Sequence, residues 1–142
     1  MCGIFLYYNN EKFTEDFYSD VIYKEFMKGQ HRGPENSQTL LYNNYYFGFH
    51  RLAINGLDDI SNQPFDIDDV ILLCNGEIYN HTELTEKLKI NSTTNSDCEI
   101  IIHMYKKFGI EYTIQQLDGV FSFILYDKKT KNLHIGRDPY GV

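Results

Sequence analysis

Met1-Cys2-Gly3-Ile4-Phe5-Leu6-Tyr7-Tyr8 opens the chain, and the reading of this stretch governs the rest. An initiator methionine is normally trimmed ahead of a residue as small as cysteine. Trimming would leave Cys2 with a thiol and a free α-amine on one residue, a nucleophile that carries its own base. A terminal amine titrates near about 7.7–8.0 and a thiol near about 8.5, so the amine can accept the thiol proton around neutral pH. Gly3 permits close approach of backbone or ligand, and the apolar run 4–8 reads as a buried strand holding Cys2 in place. A chain beginning Met-Cys by chance would look the same, so the surrounding sequence has to decide.

Working outward, residues 3–8 are the first strand. Phe17, Val21, Ile22 and Phe26 fall near helical spacing and predict an amphipathic helix over 14–28, ending near Gly29. Gln30-His31-Arg32-Gly33-Pro34-Glu35 reads as a loop with exposed charges. Segments 37–42 and 45–54 read as a hairpin turning at Asn43-Asn44. Arg51 lies in the apolar end of its second strand, where an unpaired guanidinium would be costly. It therefore calls for a carboxylate, from the protein or from a ligand.

Residues 55–68 read as loop and 69–74 as a strand covered on both faces, breaking at Asn75-Gly76. Asn-Gly commonly marks a hairpin turn. Here Asn80 with Glu83 suggests a capped helix over 82–89 instead of a returning strand. Asn75 and Gly76 would then sit exposed at a strand end, offering a side-chain amide and a backbone N–H, the two donors an oxyanion hole requires. Ser96-Asp97-Cys98-Glu99 is a capping box for a helix carrying Ile100, Ile101, Met104 and Phe108 and closed by Gly109. A short helix at 112–117 and a final hairpin, 119–126 with 132–135, complete the pattern. Gly136 onward reads as loop.

Composition narrows the classes. The chain has 142 residues, enough for one domain with a real core, and a net charge of −7 with no basic cluster, which argues against nucleic acid. No apolar run approaches membrane-spanning length, and the start lacks signal-peptide character. Cys2, Cys74 and Cys98 are an odd set without metal-site spacing, so neither a disulfide framework nor a metal is expected, and a cytoplasmic setting fits. Cys74 and Cys98 read as inert.

Taken in order, Met1-Cys2-Gly3-Ile4, His31-Arg32-Gly33-Pro34, His50-Arg51-Leu52-Ala53-Ile54, Asn62-Gln63-Pro64, Asn75-Gly76-Glu77-Ile78-Tyr79-Asn80, Ser96-Asp97-Cys98-Glu99, 119–127 and Arg137-Asp138-Pro139 match one family. The chain resembles the glutaminase domain of the class II glutamine amidotransferases, and within them it is most similar to that of the glutamine-hydrolysing asparagine synthetases. The resemblance implies an α+β fold, the four-layer αββα sandwich of N-terminal-nucleophile hydrolases, here lacking its C-terminal strands.

It also implies roles. Cys2 would attack the side-chain amide of L-glutamine, with Asn75 and Gly76 stabilising the oxyanion. Arg51 would bind the α-carboxylate and Asp97 the α-ammonium, while Leu52, Ala53, Ile54, Asn55 and Glu77 complete the pocket. A γ-glutamyl thioester would form and be hydrolysed to glutamate and ammonia. No cofactor is expected in the domain itself. ATP and magnesium would belong to a synthetase domain or subunit, the expected partner, which this chain does not contain.

Asn55-Gly56-Leu57 and Tyr140 depart from the family pattern without touching the catalytic set. The alternatives are a non-catalytic glutamine-binding or regulatory fragment of the same fold, or the glutaminase domain of another class II amidotransferase. Absent C-terminal strands would leave a sheet edge open near Phe121 and Phe123, favouring a homodimer or aggregation.

Overall fold

The computed structural model describes residues 2–11, 14–54 and 57–141. Strand β1 (Gly3–Tyr8) turns Ile4 and Leu6 to one face and Phe5 and Tyr7 to the other, and the layers of the molecule follow from that period of two. β2 (Asn36–Tyr42) and β3 (Tyr45–Arg51) form the expected hairpin, with Asn43 left-handed at φ 52°. β3 takes the centre of the first sheet, antiparallel to both neighbours, in the order β1-β3-β2. The second sheet is antiparallel in the order β4 (Phe65–Ile67), β5 (Val70–Ile78), β6 (Gly119–Asp127), β7 (Leu133–Arg137).

The sheets pack face to face. Phe47 and Phe49 from β3 meet Ile71 and Leu73 from β5 and Ile124 and Tyr126 from β6, with Ile4, Leu6 and Cys2 beside them. The opposite face of the first sheet, through Tyr46, is covered by Ile22 and Phe26. These come from one continuous helical run: α1 (Glu15–Phe17), a π-helical turn (Tyr18–Ile22) and α2 (Tyr23–Met27). Phe26 stacks on His50 at 4.0 Å between ring centroids. The outer face of the second sheet carries Leu72, Cys74, Ile78, Phe121, Phe123 and Leu125, packed under Leu84 of α3 (His81–Leu88) and Ile101 and Met104 of α4 (Ile100–Phe108). α5 (Ile110–Gln116) follows directly, hinged at Gly109. The architecture is α+β.

Several sequence expectations are corrected. β5 does not stop before Asn75 but continues to Ile78, because β6 pairs with it along its whole length. β3 ends at Arg51, three residues early, and the 55–68 segment contains both a 3₁₀ turn (Asp59–Ser61) and β4. Val21 is exposed, since the π turn shifts it off the buried stripe. Asn80 does not cap α3. Its side chain instead ties Gln116 O and Asp118 N, fastening the end of α5 to the end of β5. Half of the second capping box forms: Ser96 Oγ accepts from Cys98 N, but the Glu99 carboxylate turns to Thr93 and Thr94. Gly136 and Arg137 are strand, not loop. Phe121 and Phe123 are buried on the inner strand β6; the edge strands of this sheet are β4 and β7, and Ile135 on β7 is exposed.

Candidate active site

The same alternation that builds the inter-sheet core delivers three polar groups to its end. On β3, Phe47, Phe49 and Arg51 share a face, and on β5, Ile71, Leu73 and Asn75 do. Cys2 precedes Ile4 by two residues and joins the same layer. At that end a cavity of about 130 Å³ is lined by Cys2, Arg51, Asn75, Gly76, Glu77 and Asp97 among others. This is small beside the roughly 300–1,000 Å³ of drug-sized ligand sites, and suits an amino-acid-sized guest.

Cys2 Sγ is held at Leu52, accepting from its N–H at 3.3 Å and approaching its carbonyl at 3.4 Å. Burial pushes the thiol pKa above its ordinary value, against the pull of the Leu52 bond and the nearby Arg51 guanidinium. The resting group is thus a protonated thiol, which needs a base to become a nucleophile. Arg51 is buried; its Nη1 donates to Asp58 O at 3.0 Å and Asn62 Oδ1 at 2.6 Å. The 58–62 turn that holds Arg51 is joined to the 93–96 loop through Asp58 and Ser61, which bind Asn95. Glu99 is fully buried, and its carboxylate gathers Thr93 N, Thr94 N and His103 Nε2, so the loop leading to Asp97 is pinned from beneath. Burial alone would raise the pKa of Glu99, but these donors hold it below the ordinary value.

Strand parity, and not a turn, sets the direction of the Gly76 N–H. In an antiparallel strand a residue's N–H and C=O point to one side, and the side alternates along the chain. Cys74 N donates to Gln63 Oε1 and Ile78 N donates to Asp97 Oδ2, so the even-numbered residues of β5 face away from β6. Gly76 lies between them. Its partner on β6, Phe121, spends its own N–H and C=O on Asp138, not on Gly76. The Gly76 N–H therefore faces the open edge, where the cavity lies. Gly76 sits at φ +152°, and a Cβ there would fall 2.1 Å from Val120 O, so no other residue fits. Asn75 Oδ1 is buried and has no hydrogen-bond partner among the described residues.

The model for the glutamine amidotransferase domain matches residues 1–142. The chain belongs to this family. It is 44% identical, over 149 aligned positions covering all of it, to the glutamine-hydrolysing asparagine synthetases of Mesocricetus auratus and Mus musculus, and 42% identical to that of Homo sapiens. The chain spans about a quarter of the length of those relatives, 25% in each case.

Of the site residues expected from sequence, the structure of this amidotransferase domain brings Cys2, Arg51, Leu52, Ile54, Asn75, Gly76, Glu77 and Asp97 to one cavity. Ala53 stands beside it, its N–H held by Glu35 Oε2 at 2.8 Å. Asn55 lies outside the described residues. The 30–35 segment is more than a charged turn: Pro34 bridges to Arg51, and Gly33 packs so closely under His50 O that a Cβ would lie 2.3 Å away. It thereby fixes the strand end that carries Arg51. Cys74 and Cys98 also line the cavity. The Cys98 pKa is pushed well above the ordinary value, first by the adjoining Cys74 thiol and then by burial, which fits an inert group. Gln63, Ser61 and Ser96 also line the cavity and are not among the residues expected there; Gln63 lies in Asn62-Gln63-Pro64, within a segment that reads as loop. Among the described residues no cluster of three or more His, Cys, Asp or Glu could hold a metal, and no helix is long and apolar enough to cross a membrane.

Proposed function

We propose that this domain hydrolyses L-glutamine to glutamate and ammonia and serves as the glutaminase part of an asparagine-forming synthetase. The observation that carries the reading is the convergence of Cys2, Arg51, Asn75, Gly76 and Asp97 on one small cavity in a chain of this family. With Met1 removed, the Cys2 amine takes the thiol proton and Sγ attacks the glutamine carboxamide carbon. The Asn75 amide and the Gly76 N–H stabilise the tetrahedral oxyanion. The C–N bond breaks, the proton passes from the amine to the leaving nitrogen, and ammonia departs from a γ-glutamyl thioester. Water, activated by the same amine, cleaves the thioester to glutamate and restores the thiol. Opposite charges at Arg51 and Asp97 match the α-carboxylate and α-ammonium of a free amino acid, which excludes a peptide-bound glutamine.

The helix-covered pair of sheets supports the four-layer αββα arrangement of N-terminal-nucleophile hydrolases as the parent fold. In this reading every group used comes from the chain itself, in the cytoplasm, and nucleotide and magnesium are used by a synthetase domain that consumes the ammonia. The test is glutamate release by the chain with Met1 removed, together with labelling by an electrophilic glutamine analogue. Activity that survives Cys2→Ala, or label carried chiefly by Cys74 or Cys98, would refute the mechanism.

A further inference from the structure

β4 covers β5 only from Val70 to Leu72, yet β5 runs on to Ile78. Beyond Leu72 the β4-side edge would be bare at Cys74, Gly76 and Ile78. Two side chains fill it selectively. The Gln63 carboxamide donates from Nε2 to Cys74 O at 3.0 Å and accepts from Cys74 N at 2.6 Å, copying the two bonds a strand residue would make. Asp97 Oδ2 takes the Ile78 N–H at 2.7 Å. Gly76, midway, is left facing the cavity.

We infer that Gln63 is a positioning residue for the oxyanion site: a stand-in strand that pins Cys74 and so sets the Gly76 N–H and the Asn75 side chain. The inference rests on the glutaminase reading above. Gln63 is buried, 4% exposed, and its orientation is dictated by the backbone donor and acceptor it meets. One dipeptide repeat, about 6.6–6.8 Å, separates its anchor from the Gly76 N–H. Slack at Cys74 would therefore reach the catalytic donors before it reached the groups that bind the substrate's α-carbon.

Gln63→Met keeps the length and loses both bonds. Misplacement without deletion of the donors should lower kcat by about 10–100-fold and leave KM within about threefold. Affinity for an aldehyde analogue of glutamine, to which Cys2 Sγ adds as a tetrahedral hemithioacetal, should fall by the same factor. Glutamine binding in a Cys2→Ala background should not change. Gln63→Glu adds a readout that a purely structural role would not move. Its ionised carboxylate accepts from Cys74 N but cannot donate to Cys74 O, whereas the protonated carboxyl does both. Relative to wild type, its kcat should rise as pH falls from about 8 to about 5, since burial lifts a carboxyl above its usual value of about 4.3.

Equal losses of glutamine and aldehyde affinity in Gln63→Met, or a flat activity ratio for Gln63→Glu, would overturn the assignment. Asn75→Ala in the same assay separates the two levels. A kcat loss there with Gln63→Met unimpaired overturns Gln63 alone. An unchanged kcat in Asn75→Ala overturns the oxyanion reading and this inference with it.

Discussion

Replacing Asp97 separates its charge from its shape. The carboxylate is 4% exposed and does two jobs in the proposed site: Oδ2 accepts the Ile78 N–H at 2.7 Å, while the group lines the cavity where a substrate ammonium would lie. Asp97→Asn keeps an oxygen for Ile78 and removes the charge. A hydrogen bond to a charged group contributes about 1.5–3 kcal/mol and a neutral one about 0.5–1.5, so the change should cost about 1–2 kcal/mol, or roughly 5- to 30-fold in KM. kcat should hold. Asp97→Ala also strips the buried Ile78 N–H of its partner, costing a further ~1–3 kcal/mol of fold stability, and it loosens β5 two residues from Gly76. Here kcat should fall as well. Glutamate release against glutamine concentration gives the first pair of values, and urea unfolding gives the second. A substrate analogue lacking the α-amine closes the cycle: it should bind Asp97→Asn and wild type equally. An unchanged KM in Asp97→Asn, or equal stability of the two variants, would refute the double role.

Asn75→Ala should lower kcat by about 10²–10³ with little change in KM, since it removes a donor used chiefly in the transition state; steady-state kinetics decide. An electrophilic glutamine analogue should modify Cys2 alone, because Cys74 and Cys98 are buried, and peptide mapping would reveal any other site. With Met1 retained, alkylation of Cys2 by a neutral reagent should be slower at pH 7 than that of a free cysteine, as its raised pKa leaves less thiolate. Glu99 has its folded pKa lowered, so its stabilisation is fully present above the unfolded value of about 4.3 and is lost as pH falls through the folded value. The stability gap between wild type and Glu99→Gln, measured by urea unfolding, should therefore shrink below about pH 4.

The strands and helices were largely legible, because apolar periods of two and 3.6 write themselves into sequence. What escaped was anything set by a partner distant in the chain. Asn75-Gly76 has local turn chemistry, yet β6, more than forty positions on, pairs straight through it and makes it mid-strand. The three residues of β4 have no period to detect, and they exist because β5 offers them an edge. Asn80 had a capping partner in Glu83, three positions on, and took two backbone groups near residue 117 instead. The site residues Cys2, Arg51, Asn75, Gly76 and Asp97 were recognisable by motif. Gln63 stands in a matched stretch, Asn62-Gln63-Pro64, but its role was not legible there, since a side chain acting as a strand leaves no mark on composition or spacing.

These cases share a physical origin that bears on how the site should be probed. The cavity exists because β4 stops short, and a strand edge without a neighbour must satisfy its backbone groups by side chains or water. Gln63 and Asp97 meet that need at alternate residues, and the group they leave over is the N–H the proposed chemistry uses. Arg51 likewise braces the 58–62 turn while facing the cavity, and the Leu52 N–H is engaged by the Cys2 thiol itself. Nearly every functional side chain is thus also a structural bracket. Truncation to alanine would conflate the two roles at each position, lowering binding, turnover and stability together. Isosteric replacements that change only charge or only donor pattern, Asp97→Asn and Gln63→Glu among them, can assign each effect to its cause.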